Sequence, residues 1–178
     1  MICTANIVRS PIAATLLGAR LRERGVSAVV TSAGTHDVDL GATEAAATVA
    51  AELGCPIDDH RTRVLTSEIV RVDGADLVLA IARPHLRAVV ALEPAALSRT
   101  FTLKELVRRS RGEVSRHPES NLATWLGRLA AGRDLRQLLG EDPVDDVEDP
   151  YGRSLAAHRR SARELDRLVT ELVHAAPW

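Results

Sequence analysis

A cysteine and an arginine near the start of the chain have the spacing of an anion-binding nucleophile site. The first residues read MICTANIVRSPIAATLLGARL, and five residues lie between Cys3 and Arg9. We expect Cys3 to end a strand and Ser10 to cap a helix whose first residue is Pro11. The loop between them would point several backbone N–H groups at one place, where the helix N-terminus adds partial positive charge.

The residue types around this loop suit covalent chemistry on an oxyanion. The loop amides, the Arg9 guanidinium and the Ser10 hydroxyl all favour the thiolate form of Cys3, which is the nucleophilic form. The planar fork of Arg9 can hold two oxygens of a tetrahedral anion, which lysine cannot do. A free cysteine is more often a small core residue, but an arginine at a helix start opposes the helix dipole unless an anion is near. The pair therefore indicates a site for phosphate or another oxyanion.

The elements that must position this loop follow from hydrophobic periodicity and from glycine and proline punctuation. Short β-prone runs alternate with longer helical runs, which predicts an α/β domain with a parallel sheet. We expect one domain over residues 1–178, with a polar insertion at about 110–145. The strands predicted after the first span 26–32, 76–82 and 100–103, and the predicted helices span 10–25, 42–54, 85–92, 125–129 and 155–173.

Composition limits the classes of partner and compartment. The 178 residues carry a net charge of -1, so the overall balance predicts neither a nucleic-acid nor a membrane partner. Two cysteines are too few for a disulfide framework, which favours the reducing cytoplasm. The six histidines show no metal-ligand spacing, so we expect no metal site and no cofactor.

The stretch CTANIVRSP resembles the phosphate-binding loop of the low-molecular-weight protein tyrosine phosphatases. That family's loop reads Cys-x-Gly-Asn-x-Cys-Arg-Ser-Pro, and the chain matches it at Cys3, Asn6, Arg9, Ser10 and Pro11. A Cys-x5-Arg pattern alone is weak evidence, but the added asparagine and Ser-Pro strengthen it. The stretches TSAGT at 31–35, DDHRTRVLT at 58–66 and VEDPYG at 147–152 resemble further family segments in the same order. The resemblance thus covers most of the chain.

The resemblance implies hydrolysis of phosphotyrosine and other aryl phosphates through a phosphocysteine. It assigns the nucleophile to Cys3, phosphate binding to Arg9 and the general acid to Asp149. It also implies that Ser32 and His60 give structural support to the loop. Substrate binding is assigned to Thr4, Ala5, Asn6, Ile7, Val8, Ser10 and Tyr151. It implies a bacterial protein and a phosphotyrosine protein as partner, such as a bacterial tyrosine kinase.

The fold implied by the resemblance is a three-layer α/β domain with four parallel strands in the flavodoxin-like order 2-1-3-4. Only Met1 and Ile2 precede Cys3, whereas members of the family have several apolar residues there. We therefore expect a truncated first strand, a natural translation start farther upstream, and a less stable protein in the form that begins at Met1. That shortening would leave backbone groups unpaired in the middle of the sheet.

Departures from the family pattern raise further expectations. Ala5 replaces the loop glycine, and if that position needs a positive φ its Cβ costs on the order of 1 kcal/mol. Val38 stands where many relatives have tryptophan, which predicts a wider cleft. Asp149 lies in an acidic run that would by default be a solvated loop, and Asp146 is the alternative candidate for the acid.

Two other functions are compatible with these residues. An arsenate reductase of the same fold uses a similar loop to bind arsenate. A non-catalytic module that binds phosphate or phosphotyrosine is the third interpretation, and it would bind oxyanions without turnover.

Overall fold

Four short strands and a set of helices form the architecture of the chain. The structure, a computed structural model, describes residues 1–71, 73–111, 121–134, 140 and 143–178. The strands are β1 (Ile2–Cys3), β2 (Ala33–Gly34), β3 (Val78–Ala80) and β4 (Thr100–Thr102). The helices are α1 (Arg9–Glu23), α2 (Glu44–Glu52), α3 (Ser67–Val70), α4 (Arg83–Leu92), α5 (Leu103–Ser110), α6 (Leu122–Ala130) and α7 (Leu155–Ala175), with 3-10 turns at Pro94–Arg99 and Pro143–Asp145.

Part of the predicted polar insertion lies outside the described residues, namely 112–120, 135–139 and 141–142. Within the described ranges, no helix combines the length and the apolar character that crossing a bilayer requires.

The sheet has the strand order β2-β1-β3-β4, and every pair of neighbours is parallel. This confirms the predicted α/β class and strand order. β1 is short, but its carbonyls are used on both sides: Thr35 N–H donates to Cys3 O at 2.9 Å, and Ile81 N–H donates to Ile2 O at 2.9 Å. The carbonyls of this central strand are therefore paired, despite the expectation of unpaired groups.

Helices cover both faces of the sheet and make three layers. On one face α7 packs against α1, α2 and α5, and the main hydrophobic core lies between them and the sheet. On the other face α4 and the 3-10 turn Pro94–Arg99 pack against β3 and β4, over a smaller cluster that contains Ile2, Val78 and Val89. Because helices bury both faces, the strands are apolar without alternation, as β3 shows by burying all three of its residues.

The predicted strand at 26–32 is wrong. No strand is assigned in that segment, and Val29 is 94% exposed. Strand pairing needs a neighbour with free backbone groups, and β1 supplies partners to β2 only at Ala33 and Gly34. The helical predictions fared better, because the apolar periodicity that located α2, α4, α6 and α7 is maintained by the core that they cover.

Candidate active site

The loop at residues 4–8 joins the end of β1 to α1, at the carboxyl edge of the sheet. Cys3 is 3% exposed, and its Sγ lies 2.9 Å from Ser10 Oγ. The prediction that Ser10 caps α1 is wrong, since the helix begins at Arg9 and the residue at the cap position is Val8, without a side-chain cap. The Ser10 hydroxyl is instead turned back toward the thiol, because it is bonded to Cys3 and to Asn6.

Asn6 organises the loop through its side-chain amide and its carbonyl oxygen. Its φ is 57°, in the left-handed region that asparagine tolerates better than most residues. Its Nδ2 donates to Ser10 Oγ and to Ser32 Oγ, both at 2.8 Å. Its Oδ1 accepts from Arg63 N–H at 3.1 Å, and its carbonyl oxygen lies 2.7 Å from His60 Nε2. Three separate segments therefore hold this one backbone conformation in place.

The backbone strain expected at Ala5 does not arise. Among the described residues, Asn6 is the non-glycine residue with a positive φ, so the methyl group of Ala5 is accommodated in an ordinary conformation. Ile7 and Val8 are buried and belong to the hydrophobic core, which leaves their N–H groups, and not their side chains, for contact with an anion.

Arg9 is buried at 5% exposure and makes contacts that orient its guanidinium. Nη1 donates to Val147 O at 3.2 Å, and Nη2 donates to Thr4 Oγ1 at 3.4 Å. Nη2 also forms an ion pair with Asp149 Oδ2. Asp149 remains 46% exposed along its side chain, and its Oδ1 accepts from Tyr151 N–H at 3.1 Å. Residues far apart in sequence thus meet above the loop that follows Cys3.

The acidic run before Asp149 is partly buried, and the expectation of a solvated loop is wrong for Asp145. Asp145 is 4% exposed, and its carboxylate pairs with Arg83 at 3.2 Å and with Arg108 at 3.0 Å. Buried carboxylates need such partners, since desolvation disfavours an unpaired charge. The sequence analysis missed Arg83 and Arg108, because nothing local to either residue signals a partner so far along the chain. Asp142, in the same run, lies outside the described residues.

Asp146, the alternative acid, has a different environment from Asp149. Its Oδ1 accepts from the backbone N–H of Arg83 at 2.7 Å, in the first turn of α4. The next residue, Val147, donates its N–H to Ile81 O at 3.0 Å, just past the end of β3. The segment that carries Asp149 is therefore fastened to β3 and α4, and Asp149 is the carboxylate turned to Arg9.

Tyr151 follows Asp149 and is 62% exposed. Its backbone N–H is bonded to Asp149 Oδ1, and its side chain is open to solvent. An aromatic ring in that position has an apolar face on which a second ring can stack.

His85 lies beside the loop, and the sequence analysis missed it. It is buried, its Nε2 is 2.9 Å from Thr4 Oγ1, and its Nδ1 has no partner among the described residues. Burial, the Arg9 charge and then the His36 charge lower the pKa of His85 to about 3. The imidazole is therefore neutral in the folded protein near neutral pH.

The neutral His85 predicts a stability loss in acid. Between pH 6.5 and 3 the unfolded chain binds a proton at this position and the folded chain does not, so unfolding becomes more favourable as the pH falls. Between pH 7 and pH 5 the contribution is on the order of 2 kcal/mol. We expect urea unfolding at these two pH values to show a smaller acid loss for His85→Gln than for the wild type. Equal losses in both proteins would contradict this.

Gly34 allows the loop to lie against β2. A Cβ at this position would be 2.8 Å from Thr4 O and 3.0 Å from Asn6 N, distances that require the backbone to move. This close approach was not predicted, because it depends on the register between β1 and β2.

The Gly34→Ala substitution is expected to reduce both stability and activity, because the added methyl group pushes the loop away. We expect a loss of about 1–3 kcal/mol in the free energy of unfolding, measured by denaturant titration. Gly25→Ala is a useful comparison, since Gly25 has a positive φ but no atom close to the added Cβ. If Gly34→Ala affected hydrolysis no more than Gly25→Ala does, the close approach would have no consequence for the loop.

Comparison with known proteins places this geometry in context. Residues 1–119 match the model of a family described as "Low molecular weight phosphotyrosine protein phosphatase". The low molecular weight protein-tyrosine-phosphatase Etp of Escherichia coli (strain K12) is 42% identical over 102 residues, which are 57% of this chain and 65% of that protein. The chain thus spans somewhat less than two thirds of that curated relative.

Two other similarities extend over nearly the whole chain. A protein-arginine-phosphatase of Bacillus subtilis (strain 168) is 27% identical over 172 residues, covering 96% of this chain and 91% of that protein. The crystal structure of a low molecular weight protein tyrosine phosphatase from T. tengcongensis is 31% identical, with a TM-score of 0.72 over 97% of this chain and 95% of that one.

Proposed function

We propose that this chain, which belongs to the low molecular weight phosphotyrosine protein phosphatase family, hydrolyses phosphotyrosine and other aryl phosphates through Cys3. The observation that carries the proposal is the convergence of three groups that the reaction needs. A buried thiol begins the loop, the Arg9 guanidinium is bonded to Thr4 in the same loop, and the Asp149 carboxylate meets that guanidinium.

The first chemical step is attack of the Cys3 sulfur on phosphorus. Backbone N–H groups of the loop and Arg9 hold the phosphoryl oxygens and stabilise the charge that they carry in the transition state. The phosphoryl group replaces the Asp149 carboxylate on the Arg9 guanidinium, and the released carboxylate takes up a proton from solvent and gives it to the departing phenolate oxygen. The sulfur–phosphorus bond forms as the phosphorus–oxygen bond breaks, leaving a phosphocysteine.

The second step releases phosphate. Asp149, ionised after the first step, takes a proton from a water molecule that attacks phosphorus, and Cys3 departs as the thiolate. The Ser10 hydroxyl, at 2.9 Å from the sulfur, can donate to that thiolate and stabilise it as a leaving group. Arg9 and the loop amides hold the phosphoryl group again in this step.

A burst experiment tests this scheme. We expect stopped-flow mixing with p-nitrophenyl phosphate to give a burst of phenolate close to one equivalent, if phosphocysteine hydrolysis is slower than its formation, and acid quenching to trap phosphate on Cys3. Turnover without any trapped phosphocysteine would contradict covalent catalysis. Oxyanion binding without turnover would instead support a non-catalytic module, and arsenate-dependent oxidation of a thiol would support an arsenate reductase.

Phosphoarginine is the second candidate substrate. The similarity to a protein-arginine-phosphatase, which covers 96% of this chain, supports it. The exposed ring of Tyr151 supports phosphotyrosine, since an aromatic leaving group can stack on it. We expect kcat/KM to be higher for a phosphotyrosine peptide than for a phosphoarginine peptide of the same flanking sequence. We also expect Tyr151→Ala to lower kcat/KM more for phosphotyrosine, and an equal fall would count against stacking.

The proposal also concerns the source of the protein, its compartment and its partner. We propose a bacterial, cytoplasmic enzyme, because Cys3 and Cys55 are both free thiols and the catalytic thiol must stay reduced. A phosphotyrosine protein such as a bacterial tyrosine kinase is the proposed partner. We also propose that residues 1–178 act as a single domain, which the packing of α7 against α1 supports.

A further inference from the structure

A cavity of about 750 Å³ lies between α1, the segment 26–32 and residues 60–63. Three arginines line it, Arg22, Arg61 and Arg63, and we call this cavity the arginine groove. All three are exposed. None of the described residues that line the groove is aspartate or glutamate, and no described carboxylate forms an ion pair with these arginines.

The arginines of the groove differ from most other arginines of the surface in having no carboxylate partner among the described residues. Elsewhere arginines tend to lie beside a carboxylate, as Arg159 does beside Glu52 and Arg167 beside Glu171. Cations that share one concave surface repel one another, and the walls of a groove concentrate their field. An anion bound in the groove would relieve that repulsion.

The lining of the groove indicates the class of anion. Guanidinium groups bind phosphate through paired hydrogen bonds, and the hydroxyls of Ser27 and Thr31 offer further donors. The volume falls within the range of about 300–1,000 Å³ that is usual for small-molecule sites. Pro11 and Val30 add apolar surface for the body of an organic ligand. We propose that the arginine groove binds a small molecule that carries two or more phosphate groups.

The groove is connected to the phosphate-binding loop by direct contacts. Ser32, His60 and Arg63 line the groove, and the same three residues hydrogen-bond to Asn6. A ligand that draws Arg63 or His60 toward itself shifts the groups that hold the left-handed conformation of Asn6. We infer that occupancy of the groove changes the rate of hydrolysis, a point that rests on the proposed phosphatase activity, whereas the binding itself does not.

Calorimetric titration with inorganic tripolyphosphate and with ATP tests the binding. We expect the double variant Arg22→Gln/Arg61→Gln to bind at least about tenfold more weakly than the wild type, since two charged hydrogen-bond donors are lost. Arg160→Gln/Arg163→Gln removes the same charge from exposed positions on α7 and should leave the affinity unchanged. Tighter binding of ATP than of tripolyphosphate would identify an organic ligand, and the reverse would identify inorganic polyphosphate.

The loop is the competing location for these probes, and Arg9→Met distinguishes the two. We expect Arg9→Met to retain the binding that Arg22→Gln/Arg61→Gln loses. Binding that disappears in Arg9→Met and persists in the groove variant would overturn the proposal, as would equal losses in the groove variant and the α7 variant. Absence of binding to the wild-type protein would overturn it as well.

A separate measurement tests whether occupancy of the arginine groove changes the rate of hydrolysis. With the groove saturated, we expect kcat for p-nitrophenyl phosphate to change in the wild type and to stay constant in Arg22→Gln/Arg61→Gln. A change in KM alone that persists in the groove variant would mean competition at the loop, and no change in kcat would overturn the coupling. If the wild type binds tripolyphosphate or ATP but does not hydrolyse p-nitrophenyl phosphate, the proposed phosphatase activity is wrong and the proposed binding site is still supported.

Discussion

Replacing Cys3 by serine is expected to lower the rate of aryl phosphate hydrolysis by about 10⁴-fold or more, because removal of a covalent nucleophile leaves only binding and charge stabilisation. A serine hydroxyl is a much weaker nucleophile than a thiolate, and the Ser10 hydroxyl that contacts this position cannot act as a base. Initial rates with p-nitrophenyl phosphate measure the effect.

The matched control is Cys55→Ser, the same change at the other buried cysteine, which lies outside the site. We expect its rate to equal that of the wild type. Vanadate binding to Cys3→Ser, followed by fluorescence or calorimetry, should show a folded protein that still binds oxyanions. A Cys3→Ser protein with wild-type turnover would remove the basis of the proposed reaction.

Replacing Asp149 by alanine has the second large effect, and it changes turnover and binding in opposite directions. Loss of the general acid should reduce kcat by about 10²–10⁴-fold. The same substitution removes the carboxylate that pairs with Arg9 in the free protein, so phosphate and vanadate should bind more tightly than to the wild type. Steady-state kinetics and vanadate titration measure the two changes.

The dependence on the leaving group separates acid catalysis from general damage. The deficit of Asp149→Ala should shrink for aryl phosphates whose phenols are more acidic, because such leaving groups need less protonation. Asp146→Asn is the control, since its amide oxygen can still accept from Arg83 N–H. Asp149 would not be the acid if Asp146→Asn lowered kcat as much as Asp149→Ala does. The same conclusion would follow if the fall in kcat of Asp149→Ala were equal for all leaving groups.

The sequence predicted the elements whose signal is local. The helices α2 and α7 were located because their apolar positions recur on one face, and β3 because its run is wholly apolar. The segment 26–32 is as rich in β-prone residues as β3, but it is not a strand. Strand pairing depends on a neighbouring strand of the sheet, which the local sequence does not reveal.

The candidate site was predictable to the extent that it follows a short pattern. Cys3 and Arg9 were chosen from their spacing and Asp149 from the resemblance to the family, and the structure brings Arg9 and Asp149 into contact. His85 and Gly34 were missed, because their contacts with the loop depend on strand order and register. The cap expected at Ser10 failed for a related reason, since the hydroxyl bonds to the thiol and to Asn6.

The attachment of the segment 145–149 to the scaffold has a kinetic consequence. Asp145 is paired in the interior, Asp146 is bonded to the first turn of α4, and Val147 is bonded to the end of β3. The proposed acid, Asp149, lies directly after these attachments, so it needs no lid movement to reach the phenolate or to let the phenol leave. We therefore expect kcat to be insensitive to solvent viscosity, because bond breaking at phosphorus is then the rate-limiting step.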